Sequence, residues 1–242
     1  MEGTLDIKLV TEQRIQDSTG AVKLVEIDPD DKGKENMLYN SLFPLVGSAQ
    51  YNGTNFDKYG MPTADGYVDQ IVRVKNIGTA PAYVRVIVAV PAALDDTNDA
   101  GHNALHWNLG NRFMPDGSFS AEHLVNEVFT RSSSTDTEYV SWEFSETAIV
   151  DGVKCNLYIF TYSAPLADGE MTDAAAFVGF YLDRHVDIEN GHIMLDGVDT
   201  GFMKDTVKIH VKAQAVQSYE MGSVEEAFDK AELSDNPWAE QN

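Results

Sequence analysis

Hydrophobic and polar residues alternate with a period of two over most of the chain that can be read as regular structure. The clearest stretch is Tyr67 to Pro91, YVDQIVRVKNIGTAPAYVRVIVAVP. In its second arm Ala82, Val84, Val86, Val88 and Val90 share a face that predicts a core contact, against Tyr83, Arg85, Ile87 and Ala89. In the first arm Val68, Gln70, Val72 and Val74 alternate with Asp69, Ile71, Arg73 and Lys75. Asn76 to Pro81 joins the arms, with Gly78 free to take positive φ and Pro81 unable to donate to a ladder, so the pattern predicts a hairpin in the middle of an antiparallel sheet.

Other segments carry the same period. Thr4 to Val10 sets Leu5, Ile7 and Leu9 against Thr4, Asp6, Lys8 and Val10, which predicts a strand with one buried side near the free end of the chain. A turn at Ser18-Thr19-Gly20 precedes a short strand marked by Val22, Leu24 and Ile27. Tyr139–Phe144 and Val153–Tyr162 flank Asp151-Gly152, a tight-turn signal of the I′ type. Ala174 to Leu182 is apolar, Asn190-Gly191 separates Val186–Ile188 from Ile193–Leu195, and Val207, Ile209, Val211, Ala213 and Ala215 alternate with polar partners. About nine or ten strands without βαβ alternation predict an all-β, jelly-roll-like antiparallel β-sandwich forming one domain over 1–242.

Helical signals are few and peripheral. Met37, Leu38, Leu42, Phe43 and Leu45 suggest one or two turns before Gly47, and Leu124, Val125, Val128 and Phe129 follow Ser120 at helical spacing. Ser223-Val224-Glu225-Glu226 is a capping box opening a C-terminal helix over 223–233, with Val224, Ala227, Phe228 and Ala231 on one face and Pro237 beyond it. Gly47 to Gly66 and Asp95 to Phe119 read as loop, the second as a long irregular excursion.

Composition narrows the partners. The chain has 43% hydrophobic residues and 10% aromatics, enough for a substantial core, and 39 acidic against 17 basic residues give a net charge of −22. Such a surface repels nucleic-acid phosphates and anionic lipid, so no nucleic-acid partner and no stable membrane insertion are expected. The single cysteine, Cys155, shares a strand face with Val153, Leu157 and Ile159 and reads as a buried structural thiol. No apolar run approaches a membrane span. Met1-Glu2-Gly3 lacks the basic and apolar regions of a signal peptide, and NPWAEQN at the other end has no sortase signal.

Candidate chemistry is sparse. Asp28 to Asn36 places Asp28, Asp30 and Gly33 as a calcium loop would, but Lys32 and Tyr39 stand where the fifth and twelfth positions need ligands, so the loop reads as a solvated turn. No cofactor is expected, with calcium on an acidic loop left open. His102 and His106 stand at i and i+4 and are the weak metal candidates, yet Asn103 occupies the place of the zincin glutamate and Gly101 and Gly110 oppose a long helix. His185, His192 and His210 are scattered without ligand spacing. No nucleophile elbow, P-loop or dinucleotide fingerprint is present, so no catalytic residue is assigned. Glu225 and Glu226 are explained by the helix N-terminus.

Two segments carry a family resemblance. VRVKNIGTAPAYVRV, Val72 to Val86, resembles the VKNTG-x-x-x-AYVRV signature of the TasA/camelysin group, proteins exported through a SipW-type signal peptidase in Gram-positive bacteria. Lys208 to Phe228, KIHVKAQAVQSYEMGSVEEAF, resembles that group's closing strand and EEA-type helix, with Val216 where Ile is usual. The resemblance implies a secreted, non-enzymatic protein of the extracellular matrix or cell surface, written here as the mature form behind an added Met1. It also implies homopolymer fibres, with an accessory matrix protein as a further partner, in which an N-terminal strand completes the next subunit. In this chain that strand is Thr4, Leu5, Asp6, Ile7, Lys8, Leu9 and Val10, within an exchangeable segment 1–10. Some members of the group carry a metallopeptidase label, for which this sequence offers no recognisable motif. Three readings follow: a fibre subunit, a monomeric cell-surface binding or adhesion module acting through Asp95 to Phe119, and a metal-dependent peptidase using His102 and His106.

Overall fold

A computed structural model describes residues 3–16, 18–19, 22–27, 68–107, 140–172, 175–183 and 185–239. The acidic loop at Asp28, the turns after Asn36, the helix after Ser120 and the excursion beyond Trp107 lie outside these residues. In chain order the elements are β1 (Ile7–Gln16), β2 (Val22–Glu26), β3 (Val68–Asn76), β4 (Ala82–Pro91), α1 (Ala92–Asp95), β5 (Leu105–Trp107), β6 (Val140–Val150), β7 (Val153–Tyr162), β8 (Phe177–Leu182), β9 (Val186–Glu189), β10 (His192–Leu195), β11 (Val198–Met203), β12 (His210–Gln217) and α2 (Val224–Ala231). The strands form three antiparallel sheets, ordered β2-β1-β3-β8-β5, β11-β10-β9 and β12-β4-β7-β6. The fold is therefore all-β and sandwich-like, with few helices. Among the described residues no helix is long and apolar enough to cross a membrane.

The Tyr67–Pro91 stretch forms two strands, as its alternation predicts, but they do not pair with each other. β3 lies in the five-stranded sheet and β4 in the four-stranded one. The link Ile77–Pro81 is thus an arch between layers rather than a hairpin turn. Its arms face each other across the core, where Val72 and Val74 meet Val84, Val86, Val88 and Val90 in one buried cluster with Trp107, Phe160 and Phe177. The main-chain groups near the arch bond instead to the 166–172 segment: Ala82 N donates to Leu166 O, Leu166 N to Ala82 O and Thr172 N to Val74 O. Buried Asn76 braces the arch, its Nδ2 donating to Ala80 O and Leu166 O while its Oδ1 accepts from Gly78 N.

Every position of β4 is buried, so its second face must be covered too. Ile87 and Ala89 pack with Cys155, Leu157, Ile159 and Trp238, while Tyr83 packs with Val216, Val224, Ala227 and Phe228. The C-terminal segment is the cover. Arg85, 8% exposed, donates to Leu233 O, pairs with Asp235 at 2.9 Å and lies 4.6 Å from the Phe228 ring centroid. Lys212 Nζ donates to Pro237 O and sits over the Trp238 ring. Cys155 is fully buried, as its strand face predicts, and burial first, then the Asp151 charge, pushes its thiol pKa up to about 11.

Turn chemistry follows the sequence closely. Asp151 and Gly152 have φ of 47° and 80°, Asn190 and Gly191 of 52° and 85°, as two-residue I′ loops require. Asp196-Gly197, at 50° and 78°, makes a third such loop and adds β11, which the sequence reading omits. Ser223 caps α2 through Glu226 N, but the Glu226 carboxylate accepts from Gly222 N rather than Ser223 N. The helix ends at Glu232 in the left-handed region, before Pro237 is reached.

Candidate functional site: the leading strand and its seat

Thr4 to Val10 leads into β1, which runs on to Gln16 and is placed in its own chain's sheet. Ile7, Lys8, Leu9 and Val10 pair with Asn76, Lys75, Val74 and Arg73 of β3. Ahead of the ladder, Asp6 O accepts from Ile77 N and Gly78 N, and Thr4 O accepts from Thr79 N and Ala80 N, all at 2.9–3.0 Å. Thr4 N donates in turn to Thr79 Oγ1. The arch therefore grips the segment through its main chain.

Side-chain burial contributes less than the alternation suggests. Leu5, expected on the buried side, is 42% exposed because it precedes the ladder, where the arch grips only the main chain of its neighbours Thr4 and Asp6. Ile7 and Leu9 are half-buried against the main core, and Val10, expected on the polar side, is 4% exposed. On the far edge β2 pairs with Glu12–Gln16, and Thr11 O accepts from Ile27 N. Among the described residues Ile7–Val10 thus have a ladder partner on the β3 side only; on the β2 side the exposed Lys8–Glu26 pair at 2.6 Å adds under about 1 kcal/mol.

Two features make the seat specific. Gly78 is not in the left-handed region, contrary to the expectation that the turn needs its positive φ. It is glycine because a Cβ there would stand 2.3 Å from Thr4 O and 2.6 Å from Asp6 N. Glu12, just past the segment, is 6% exposed and accepts from Arg73 Nε at 2.6 Å and Nη2 at 2.7 Å, while Arg73 Nη1 donates to Thr172 O. A buried bidentate pair adds little net stability but penalises any arrangement that leaves one charge alone. Sequence reasoning placed Gly78 in a turn and passed over Glu12 and Arg73; an acid and a base inside two apolar strands were the available signal.

The histidine candidates sit elsewhere. The pair at i and i+4 is not helical: His102 lies in the loop after α1 and His106 in β5. Each faces a different carboxylate, His102 Nδ1 at 2.8 Å from Asp196 Oδ2 and His106 Nε2 at 2.6 Å from Asp183 Oδ2. The other Asp183 oxygen accepts from the ring and main chain of His185. Burial alone would raise the Asp183 pKa, but these hydrogen bonds outweigh it and hold the carboxyl well below the usual range. Buried Asp95 pins the loop, its carbonyl accepting from Asn103 Nδ2 and its carboxylate from Trp107 Nε1, Asn156 Nδ2 and Tyr158 Oη. Burial and that carboxylate push the Tyr158 pKa far up. Among the described residues no three His, Cys, Asp or Glu side chains gather as a metal-binding group.

No protein-family model matches this sequence, and no curated protein or solved structure matches it. The functional reading therefore rests on the residues and their geometry.

Proposed function

We propose that this chain is a secreted structural protein, a subunit of an extracellular surface or biofilm-matrix fibre in which Thr4–Val10 of one copy completes the sheet of the next. The observation that carries the reading is the way the segment is held: main-chain bonds to the arch and to β3, with every side chain ahead of Val10 exposed or only half-buried. Strand addition works through such bonds. An identical segment from a second copy can make every one of them at the same positions. A contact of this head-to-tail kind propagates when the rotation between copies does not close. The two motifs resembling the TasA/camelysin group support the same reading, and with it export through a SipW-type signal peptidase and an accessory matrix protein.

The cis segment competes at high local concentration, so exchange requires the seat to open first. Electron microscopy and sedimentation of the full chain over time test this, beside a chain lacking residues 2–10 and that chain with added Thr4–Val10 peptide. Fibres from the full chain, none from the shortened one, and peptide binding by the shortened chain are expected. Fibres from the shortened chain, or a full chain that stays monomeric at high concentration, would overturn the proposal. A second reading, a monomeric cell-surface binding module acting through Asp95 to Phe119, of which 95–107 is described and held by the Asp95 carboxylate, predicts ligand binding untouched by the deletion.

A further inference from the structure

The outer face of the four-stranded sheet is covered by a segment bound as a ligand would be. From Leu233 to Ala239 Trp238 alone is buried, at 5% exposed, and 231–235 are all exposed. Trp238 packs among Ile87, Ala89, Leu157 and Ile159. The rest is held by its carbonyls, through three side chains of β4 and β12. Arg85 Nη2 donates to Leu233 O at 3.1 Å, Gln214 Nε2 to Ser234 O at 2.9 Å and Lys212 Nζ to Pro237 O at 2.9 Å, while Arg85 Nη1 pairs with Asp235. Among the described residues no main-chain group of 233–239 bonds to the main chain of a strand. One buried aromatic anchor with a few charge-assisted contacts around it is how a short peptide is recognised across an interface.

A single residue, Glu232, joins this strap to α2. It stands at φ 50° and ψ 33°, in the left-handed region that suits glycine and strains a glutamate. α2 itself is fixed, since Val224, Ala227 and Phe228 pack on Tyr83 and Val216. The bend at Glu232 is therefore what turns the strap back onto its own sheet.

We propose that the strap 233–239 is exchanged between two copies of this chain, each Trp238 filling the other copy's slot in a closed two-fold dimer. An identical segment remakes every contact of the strap, so exchange gives up none of them. It releases the bend at Glu232, and short strained hinges favour such a swap. Against this stands the lost freedom of one molecule, so the dimer is governed by concentration. Both hinges meet at the two-fold axis, where 231–235 are exposed and nothing buried has to open. That junction brings Asp229, Glu232 and Asp235 of each copy together, with Lys230 engaged by Glu226 at 2.7 Å, so like charges face each other and added salt screens them. The exchange uses the other end of the chain from the fibre reading and does not depend on it.

Sedimentation of the full chain over a range of concentrations tests it. A dimer is expected whose share rises with concentration and with salt. Glu232→Pro cannot take a positive φ and should raise that share, whereas Glu232→Gly relaxes the bend and should lower it, both at an exposed position. Trp238→Ala should weaken association more than about tenfold. Because that variant also uncovers the sheet, a second measurement uses the unaltered sequence. In an equimolar mixture of isotope-labelled and unlabelled chains, the Trp238 ring of one copy should show nuclear Overhauser contacts to the Ile87 or Leu157 methyls of the other. A free Leu233–Ala239 peptide should block the dimer and a free Thr4–Val10 peptide should not, which separates this exchange from strand addition. A chain monomeric at every concentration, a dimer without those contacts between copies, or a dimer share unmoved by Glu232→Pro overturns the proposal.

Discussion

Replacing Gly78 with alanine tests the seat directly. The new Cβ would stand 2.3 Å from Thr4 O and 2.6 Å from Asp6 N, and all three nearest atoms belong to the backbone of the leading segment, so the segment has to leave. Its departure breaks four main-chain bonds, from Ile77, Gly78, Thr79 and Ala80. At about 0.5–1.5 kcal/mol net for each, the loss is about 2–6 kcal/mol, nearer the low end because Thr4–Asp6 are exposed and water replaces the partners. Alanine also stiffens the unfolded chain, which returns about 0.4–1 kcal/mol. Gly78→Ala is therefore expected to destabilise by about 1–4 kcal/mol in urea unfolding. The decisive comparison is the same substitution in a chain lacking residues 1–6, where nothing remains to collide with. There it should be neutral or stabilising by up to about 1 kcal/mol. Equal destabilisation in both backgrounds would refute the claim that Gly78 exists to admit the leading segment.

Three further outcomes follow from the packing. Glu12→Ala leaves Arg73 buried and uncompensated and should cost about 3–5 kcal/mol, whereas replacing both with leucine should recover most of it; a double variant as unstable as the single one would show that the charge is not the cause. Trp238→Ala should cost about 3–5 kcal/mol and expose the outer face of the four-stranded sheet, so that Cys155, inert to a thiol reagent in the native chain, becomes reactive. An unreactive thiol in that variant would place the cover elsewhere. Asp183 binds its proton less readily folded than unfolded, so its contribution is complete above the unfolded pKa near 4 and drains away as pH falls through and below it. Urea midpoints of Asp183→Asn should accordingly fall less on acidification than those of the unaltered chain, and parallel curves would discount the His106–Asp183–His185 cluster.

What the sequence reveals about this fold is mostly local. Asp151-Gly152 and Asn190-Gly191 announce their turns because few residue pairs tolerate two positive φ values. The capping serine announces α2, and the alternating valines announce β4. Alternation says which side of a strand is buried and nothing about which strand lies beside it. That is why the two arms around Gly78 read as a hairpin although each belongs to a different sheet. The histidines fail for a related reason. His106 meets Asp183 across the ladder that pairs it with Tyr181, a neighbour no local spacing could reveal. Leu5 shows the converse, an apolar residue in perfect alternation that the sheet does not reach.

The residues from Val72 to Ala80 serve the leading strand rather than a hairpin. Arg73 grips Glu12, Asn76 pairs with Ile7 and braces the arch, Gly78 makes room, and Thr79 and Ala80 hold the Thr4 carbonyl. Nearly every residue from Val72 to Ala80 that is not core faces the leading strand. The two segments therefore specify each other. A slip of one residue would turn Glu12 to the opposite face and strand the Arg73 guanidinium without a counter-ion, a cost no exposed leucine could offset. A strand from another molecule that displaces Glu12 as well as Thr4–Val10 meets the same condition and has to carry a glutamate eight residues after its first gripped carbonyl, as Thr4 to Glu12 does.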